Sequence, residues 1–229
     1  MKVSEVFYSI QGEGRLAGVP SAFVRTTGCN LRCVFCDTPY TSWQPEGENL
    51  SVEEILARLQ AFPTRHAVVT GGEPLIAAGI EDLCAVLRRH GYHITVETAA
   101  TVFKPLACDL ASLSPKLSNS TPHEREGGRF ALRHERQRWR PAAVRAWMAH
   151  CPEYQLKFVI ERPGDLAEVR ALLDELPPVP PDRVLLMPQG TTRDELAERG
   201  VWLVEECKRD GYRYCPRLHI ELYGNRRGT

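Results

Sequence analysis

Apolar positions along the chain fall into short runs separated by amphipathic stretches. Lys2–Ile10 alternates loosely and reads as an edge strand, and Ser21–Thr27 as a strand. Ser51-x-x-Glu54 is a capping box opening a helix whose apolar face is Val52, Ile55, Leu56 and Leu59. His66–Thr70 reads as a short buried strand that ends in Gly71-Gly72-Glu73-Pro74. Ile80, Leu83, Cys84 and Leu87 mark one face of a helix that stops before Gly91, and strands follow at His93–Glu97 and Asp109–Leu113. Leu117–Arg140 is polar, rich in Arg and interrupted by Gly127-Gly128, the composition of a long surface loop or lid. Beyond it come a helix over Ala142–His150, a strand over Tyr154–Ile160 and a helix over Asp165–Leu176, closed by the stiff run Pro177–Pro181. Arg183–Met187 reads as a strand, Thr192-x-x-Glu195 caps a helix running towards Asp210, and Leu218–Leu222 reads as the last strand.

Strands alternating with helices predict an α/β fold with a parallel sheet and crossover helices. About six such strands are too few for a full eightfold barrel, so the expectation is an open partial (β/α) barrel, formed by residues 1–229 as one domain. Ligands of such sheets sit at the carboxyl ends of the strands. All the motifs singled out below lie just after expected strands, which points to one composite site.

Composition narrows the classes. Apolar residues make up 43% of the 229, which excludes global disorder. Lys+Arg and Asp+Glu are both 29, so the basic excess usual in phosphate-binding proteins is missing, and no nucleic-acid role is expected. No apolar run is long enough to span a bilayer, and Met1–Tyr8 lacks the pattern of a signal peptide. The expected compartment is the cytoplasm. Three of the eight cysteines fall within eight residues, which in a cytosolic chain points to metal binding and not to disulfides.

That cluster is Cys29-x3-Cys33-x2-Cys36. Thiolates are soft, anionic ligands suited to iron–sulfur clusters, and three on one tight loop can grip three irons of a [4Fe–4S] cubane. The fourth iron is then left open to a small chelating molecule. A non-catalytic zinc module is the reading from another class. It normally needs four ligands on two knuckles, and no second Cys-x2-Cys or His-x3-His is present. Cys84, on an apolar helix face, reads as core.

Cys-x3-Cys-x2-Cys followed by Gly71-Gly72-Glu73-Pro74 resembles the radical S-adenosylmethionine superfamily. The flanks resemble one branch of it. Ser9-Ile10-Gln11-Gly12-Glu13-Gly14, Phe23-Val24-Arg25, Cys36-Asp37-Thr38, Glu97-Thr98, Ser114-Pro115-Lys116 and Leu218-His219 together resemble the 7-carboxy-7-deazaguanine synthase family. The resemblance implies a modified radical SAM fold. It also implies conversion of 6-carboxy-5,6,7,8-tetrahydropterin to 7-carboxy-7-deazaguanine with loss of ammonia, on the route to queuosine and other 7-deazapurines. Implied cofactors are the cluster on Cys29, Cys33 and Cys36, S-adenosylmethionine and Mg²⁺. A homodimer and a reductant such as flavodoxin or ferredoxin are implied partners.

Residue by residue, the resemblance assigns Thr38 to Mg²⁺. It assigns Phe35, Cys36, Asp37, Gly72, Glu73, Ser114, Pro115, Lys116 and Gln189 to S-adenosylmethionine. Ile10, Gln11, Gly12, Glu13, Arg25, Thr70 and His219 are assigned to substrate. Glu13 is expected to accept N–H bonds from the pterin edge, with Gln11 adding mixed donor and acceptor capacity. Arg25 suits an anionic or carbonyl edge, or an acidic neighbour within the protein. Asp37 can equally serve as a helix N-cap. Ala99-Ala100 departs from the Asn-Gly expected at that turn. A glycyl-radical-enzyme activase is the competing reading within the superfamily.

Overall fold

The computed structural model describes every residue except Pro152. The strands lie in the order β3-β1-β2-β4-β5-β6-β7-β8-β9. β1 (Lys2–Ile10) pairs antiparallel with β2 (Pro20–Thr26), and its outer side carries the two-residue β3 (Glu48–Asn49), so β1 lies one strand in from the edge. From β2 onward the sheet is parallel: β4 (His66–Gly71), β5 (His93–Thr98), β6 (Leu110–Leu113), β7 (Tyr154–Ile160), β8 (Val184–Pro188) and the short β9 (Arg213–Tyr214). The expected strand count was about six, and the sheet has nine. Six long strands, β2 and β4 to β8, form the parallel body, and the additions are antiparallel or two residues long. The sheet stays open, with β3 and β9 as its edges.

Helices cover one face. α1 (Pro39–Ser42) follows the cysteine loop, and α2 (Val52–Gln60) starts at the Ser51–Glu54 capping box and buries Ile55 and Leu59. α3 (Ile80–Arg89) buries Ile80, Leu83, Cys84 and Leu87, the face the sequence predicted. α4 (Ala131–Arg138) and α5 (Pro141–His150) connect β6 to β7. α6 (Asp165–Asp174) and α7 (Arg193–Asp210, capped by Thr192 and Glu195) complete the layer, and α8 (Leu218–Tyr223) follows β9. No helix among the described residues is long and apolar enough to cross a membrane.

The side-chain alternation of the strands sorts residues between the two faces. Val24, Val69, Val96, Leu113, Phe158 and Leu186 point to the helices and join one continuous core. The opposite phase carries Arg25, Thr70, Glu97 and Ser112 towards the carboxyl ends of their strands, and Lys157 at the middle of β7. Register sets them side by side: Arg25 lies opposite Thr70, and Glu97 opposite Ser112. One face of the sheet therefore carries the main core, and the other joins these polar groups to two smaller apolar clusters, Phe7–Phe23–Val68 and Leu185–Met187–Cys215.

Besides the edge position expected for Lys2–Ile10, which β3 occupies, two expectations are corrected. Leu218–Leu222 is helical, not a strand. The ladder on β8 closes when the Cys215 N–H reaches Leu186 O at 2.8 Å, and Pro216 has no N–H to continue it. Leu222 is 52% exposed, so the apparent alternation of that segment is not used for burial. Leu117–Arg140 is not a free loop. It contains 3-10 turns at Ser118–Ser120 and Arg125–Gly128 and the helix α4, with Leu117 and His134 buried. His134 fixes it: Nδ1 accepts the Arg32 N–H at 3.1 Å, and Nε2 lies 2.9 Å from Ser120 Oγ. A histidine anchor of this kind leaves no apolar periodicity for sequence reading to detect.

Candidate active site

The cysteine loop leaves β2 and is tied down by main-chain bonds. Gly28 N–H donates to Thr41 O at 2.8 Å, the Trp43 indole donates to Cys33 O at 3.0 Å, and Arg32 donates to Cys29 O and Leu31 O at 2.7 Å. Leu31 is buried and lies on the cavity wall. The three thiols are free and partly exposed, and Cys36 Sγ lies 3.2 Å from Ser42 Oγ. Burial pushes the Cys29 and Cys33 thiols up to about 12, so they stay protonated until a metal displaces the proton.

The Gly71–Pro74 turn is packed directly on this loop. Glu73 N–H donates to Gly28 O at 2.9 Å. A Cβ on Gly72 would stand 2.3 Å from Gly28 O and 2.8 Å from Cys29 Cβ, so only glycine permits this approach. Glu73 itself is fully buried, and burial raises its carboxyl above the ordinary value. It accepts from Thr98 Oγ1 at 2.7 Å, Ala99 N at 3.0 Å and Leu75 N at 3.2 Å. The Glu73 side chain thus holds the turn after β5 and is not on the cavity wall. In that turn Ala100 takes the left-handed conformation, φ 54°, so the Ala-Ala sequence keeps a tight turn.

A cavity of about 630 Å³ opens over the polar groups of the sheet. It brings together Cys29, Cys33, Phe35, Cys36, Asp37, Thr38, Gly72, Ser114, Lys116 and Gln189 from the cluster and cofactor set. Every residue assigned to substrate lines it too: Ile10, Gln11, Gly12, Glu13, Arg25, Thr70 and His219. Glu73 and Pro115 stand outside the lining. Gly12 is pressed against His219, whose Nδ1 would lie 1.9 Å from an added Cβ. His219 sits on α8, and burial lowers its pKa. Lys116 Nζ reaches Ser114 O and Oγ, both at 2.7 Å.

Glu13, which the resemblance assigns to substrate, also has partners within the protein. Its carboxylate is paired internally, with Lys157 Nζ on Oε2 and Arg217 Nε on Oε1 at 3.0 Å. Arg217 also pairs with Asp37, next to Cys36, and donates to Gly190 O at 2.6 Å. Burial opposes charge on all these groups, yet the pairing wins. Glu13 and Asp37 are held below the usual carboxylate range, and Lys157 and Arg217 above their ordinary values. Arg25 likewise has the acidic neighbour, Glu5, at 3.3 Å, and its guanidinium lies over the Phe7 ring. Glu97 accepts from Gln11 Nε2 at 3.0 Å and Thr70 Oγ1 at 3.3 Å.

Glu97, Lys157 and Arg217 were not among the predicted site residues. Lys157 had a readable signal: with Gln155 it puts polar groups into one phase of the otherwise apolar strand Tyr154–Ile160. Arg217 had none. Among the described residues no group of three or more His, Cys, Asp or Glu side chains converges on a single-ion site.

The Radical SAM superfamily model matches residues 23–118, from β2 through the cysteine loop to just beyond the Ser114–Lys116 turn, and the class is that of radical SAM enzymes. The chain is 44% identical over 227 residues to the 7-carboxy-7-deazaguanine synthase of Rhodopirellula baltica, covering 99% of this chain and 88% of the relative. It is 44% identical over 235 residues to the Halobacterium salinarum synthase, covering 98% and 91%. The chain belongs to the 7-carboxy-7-deazaguanine synthase family. Among solved structures, QueE from Escherichia coli shares the fold with a TM-score of 0.68 at 24% identity, covering 93% of this chain and 92% of that one. The structure of TYW1 with a lysine–pyruvate adduct bound aligns with a TM-score of 0.54 at 14% identity, covering 81% and 73%. The activase and zinc-module readings are not favoured by these relatives.

Proposed function

We propose that this chain, acting as one domain, converts 6-carboxy-5,6,7,8-tetrahydropterin to 7-carboxy-7-deazaguanine with loss of ammonia, in 7-deazapurine and queuosine biosynthesis. The observation that carries the reading is a single cavity with three free thiols on one wall and a buried acid–base floor on the other. The donor set fits the cofactors. Three soft sulfur ligands on one loop suit a [4Fe–4S] cluster on Cys29, Cys33 and Cys36. The turn at Gly72 brings backbone beside that loop, where S-adenosylmethionine would lie, with Phe35, Ser114, Lys116 and Gln189 around it. Bound together, the cluster and S-adenosylmethionine supply hydrogen abstraction from the substrate.

The chain's own residues bind and orient. Gln11, Thr70 and Glu97 form a bonded patch of donors and acceptors suited to a pterin's amide and amino edge. Glu13 keeps acceptor capacity beyond its two cationic partners, because a carboxylate offers about four lone-pair sites. Lys116, held by neutral Ser114 oxygens, suits an anionic group of a bound ligand. Thr38 is the proposed protein ligand of Mg²⁺, with the substrate carboxylate and waters completing an oxygen shell. Asp37 is committed to Arg217 and so supports the site indirectly. A homodimer, a cytoplasmic location and a flavodoxin- or ferredoxin-type reductant complete the proposal.

Anaerobic turnover of reconstituted protein with the carboxypterin, followed by mass spectrometry, tests it. Formation of 7-carboxy-7-deazaguanine is expected, and a protein with full iron content that cleaves S-adenosylmethionine without making this product would refute it. Mg²⁺ is expected to raise turnover, and Thr38→Ala to weaken that response. An unchanged Mg²⁺ titration in Thr38→Ala would remove the hydroxyl from the metal site.

A further inference from the structure

Two cysteines outside the cluster motif meet at the far end of the sheet. Cys108 precedes β6, and Cys151 closes α5 just before β7. Both stand at the amino ends of their strands, whereas the cluster thiols follow the carboxyl end of β2. Register brings the two approaches together. Ala111 pairs with Tyr154, each three residues past its cysteine, and the Ala111 N–H donates to Glu153 O at 2.9 Å. Cys151 Sγ lies 3.6 Å from Cys108 Sγ and 3.7 Å from Cys108 O, across 43 positions of chain. Neither cysteine lines the substrate cavity.

The surroundings hold this contact in place. The Trp147 indole donates to Val102 O at 3.1 Å, His150 Nε2 lies 2.8 Å from Leu106 O, and Phe103 packs edge-on against Trp147 at 5.4 Å. α5 therefore backs the β5–β6 connection. The other end of that connection reaches the site, with Ala99 N–H on Glu73 and Thr101 Oγ1 accepting from Asn30 of the cysteine loop at 2.9 Å. Cys151 is buried and Cys108 half-buried, so solvent reaches one sulfur and the other waits behind it. One proton is shared along the contact. The Cys108 thiol holds Cys151 below the ordinary thiol value, and the same bond, with burial, pushes Cys108 up. Moving that proton to Cys151 puts the thiolate on Cys108. Among the described residues no third His, Cys, Asp or Glu joins the pair in a single-ion site. Two apposed thiols suit a disulfide better than structural zinc, which takes four ligands. Closing the bond brings the sulfurs about 1.5 Å nearer, to the ~2 Å of an S–S bond.

We propose that Cys108 and Cys151 are a reversible dithiol–disulfide pair, oxidised by small-molecule disulfides, that clips the β5–β6 connection to the end of α5. The Cys108 thiolate attacks one sulfur of the small disulfide, forming a mixed disulfide and releasing one small thiolate. Cys151, as its thiolate, then attacks Cys108 Sγ, forming the internal S–S bond and releasing the second. The protein loses two electrons and two protons, and the small disulfide becomes two thiols. In a reducing compartment such pairs are transient and redox-sensing, so the dithiol is the resting form. The cluster thiols take no part, because they lie at the other end of the strands.

The test is an anaerobic titration of the cluster-loaded protein with mixtures of reduced and oxidised glutathione, read by non-reducing peptide mapping, iron content and melting temperature. One Cys108–Cys151 linkage is expected, with iron unchanged and full reversal by dithiothreitol. The linkage closes a long loop, so the melting temperature is expected to rise by roughly 5 °C or more. Cys151→Ser is expected to accumulate a glutathione adduct on Cys108, because the resolving thiol is gone. Cys108→Ser is expected to stay unmodified at Cys151, because that sulfur is buried. C108S/C151S should keep full turnover and show no oxidant-dependent change in melting. Thiols 108 and 151 still reduced in fully oxidised glutathione overturn the proposal. So does linkage of either one to another cysteine, or a pair already oxidised in excess reduced glutathione, which would be a permanent staple. An adduct on Cys151 in Cys108→Ser would overturn the order of attack. If the serine variants do not fold, Cys108→Ala and Cys151→Ala and the mapping of the unaltered protein decide.

Discussion

On the β2–β4–β5 side of the cavity, the cysteine loop and the Gly71–Pro74 turn are fixed by main-chain hydrogen bonds and by a glycine packed on backbone. On the β7–β8–α8 side, Glu13, Lys157, Arg217 and Asp37 are fixed by ion pairs, with Lys157 and Arg217 side chains only 5% and 7% exposed. The first side is held by shape. The second is held by charge balance, and removing one partner there leaves an uncompensated buried charge. The two sides should therefore fail in different ways.

The sharpest break is at the thiols. Changing any one of Cys29, Cys33 or Cys36 to Ala is expected to abolish cluster binding and product together, measured as iron content and turnover. Cys84, Cys151 and Cys207 are in the core, and Cys108 Sγ lies 3.6 Å from Cys151 Sγ. Replacing any of these four, or Cys215, should leave four irons per chain. A requirement for one of them would overturn the three-cysteine assignment.

On the charged side, Glu13→Ala should keep the cluster and slow uncoupled 5′-deoxyadenosine formation but lose most product. It strands Lys157 and half of Arg217's pairing, so it should also cost roughly 3–5 kcal/mol of stability. The double variant Glu13→Gln/Lys157→Met removes one charge of each sign. It is expected to recover much of the melting temperature without recovering product. If the single and double variants melt together, charge balance does not hold this side.

Gly72→Ala probes the other side. The added carbon must displace the Gly28–Cys29 backbone. Cofactor affinity is expected to fall at least tenfold while Glu13 variants leave it unchanged, a contrast readable by equilibrium dialysis. Unaltered cofactor binding in Gly72→Ala would mean the turn is not tightly seated.

The most gradual effect is on pH. Burial holds His134 down to about 4, from its ordinary 6.5. The unfolded chain gains this proton as pH falls through about 6.5, and the folded chain only near 4. The stabilisation is thus complete above 6.5 and is lost between those values, up to roughly 3 kcal/mol. Protonation also removes the Nδ1 acceptor of the Arg32 N–H. Urea melts from pH 7 to 4.5 should show a shallower loss in His134→Asn, and identical slopes would exclude this source.

The same division explains how much the sequence made legible. The shape-held side is local. Cys29–Thr38 and Gly71–Pro74 are contiguous, and their spacing already describes the loop and turn. The capping boxes at Ser51 and Thr192 and the faces of α2 and α3 were readable for the same reason. The charge-held side joins residues more than a hundred positions apart: Lys157 to Glu13, and Arg217 to both Glu13 and Asp37. Only the fold brings them together. The alternation at Leu218–Leu222 misled because it suited a strand where the sheet had already ended. The 117–140 segment was read as a loop because polar anchors, not apolar ones, dock it.

Arg217 also sets an order in time. It stands 180 residues after Asp37 and 204 after Glu13 in the chain, yet it neutralises both. During synthesis the cysteine loop and the Glu13 turn emerge long before Arg217 exists. Until residue 217 arrives, Asp37 lacks its ion-pair partner and Glu13 has only Lys157. The wall of the cavity formed by Gly12 and His219 is complete only when the α8 segment folds back across Gly12.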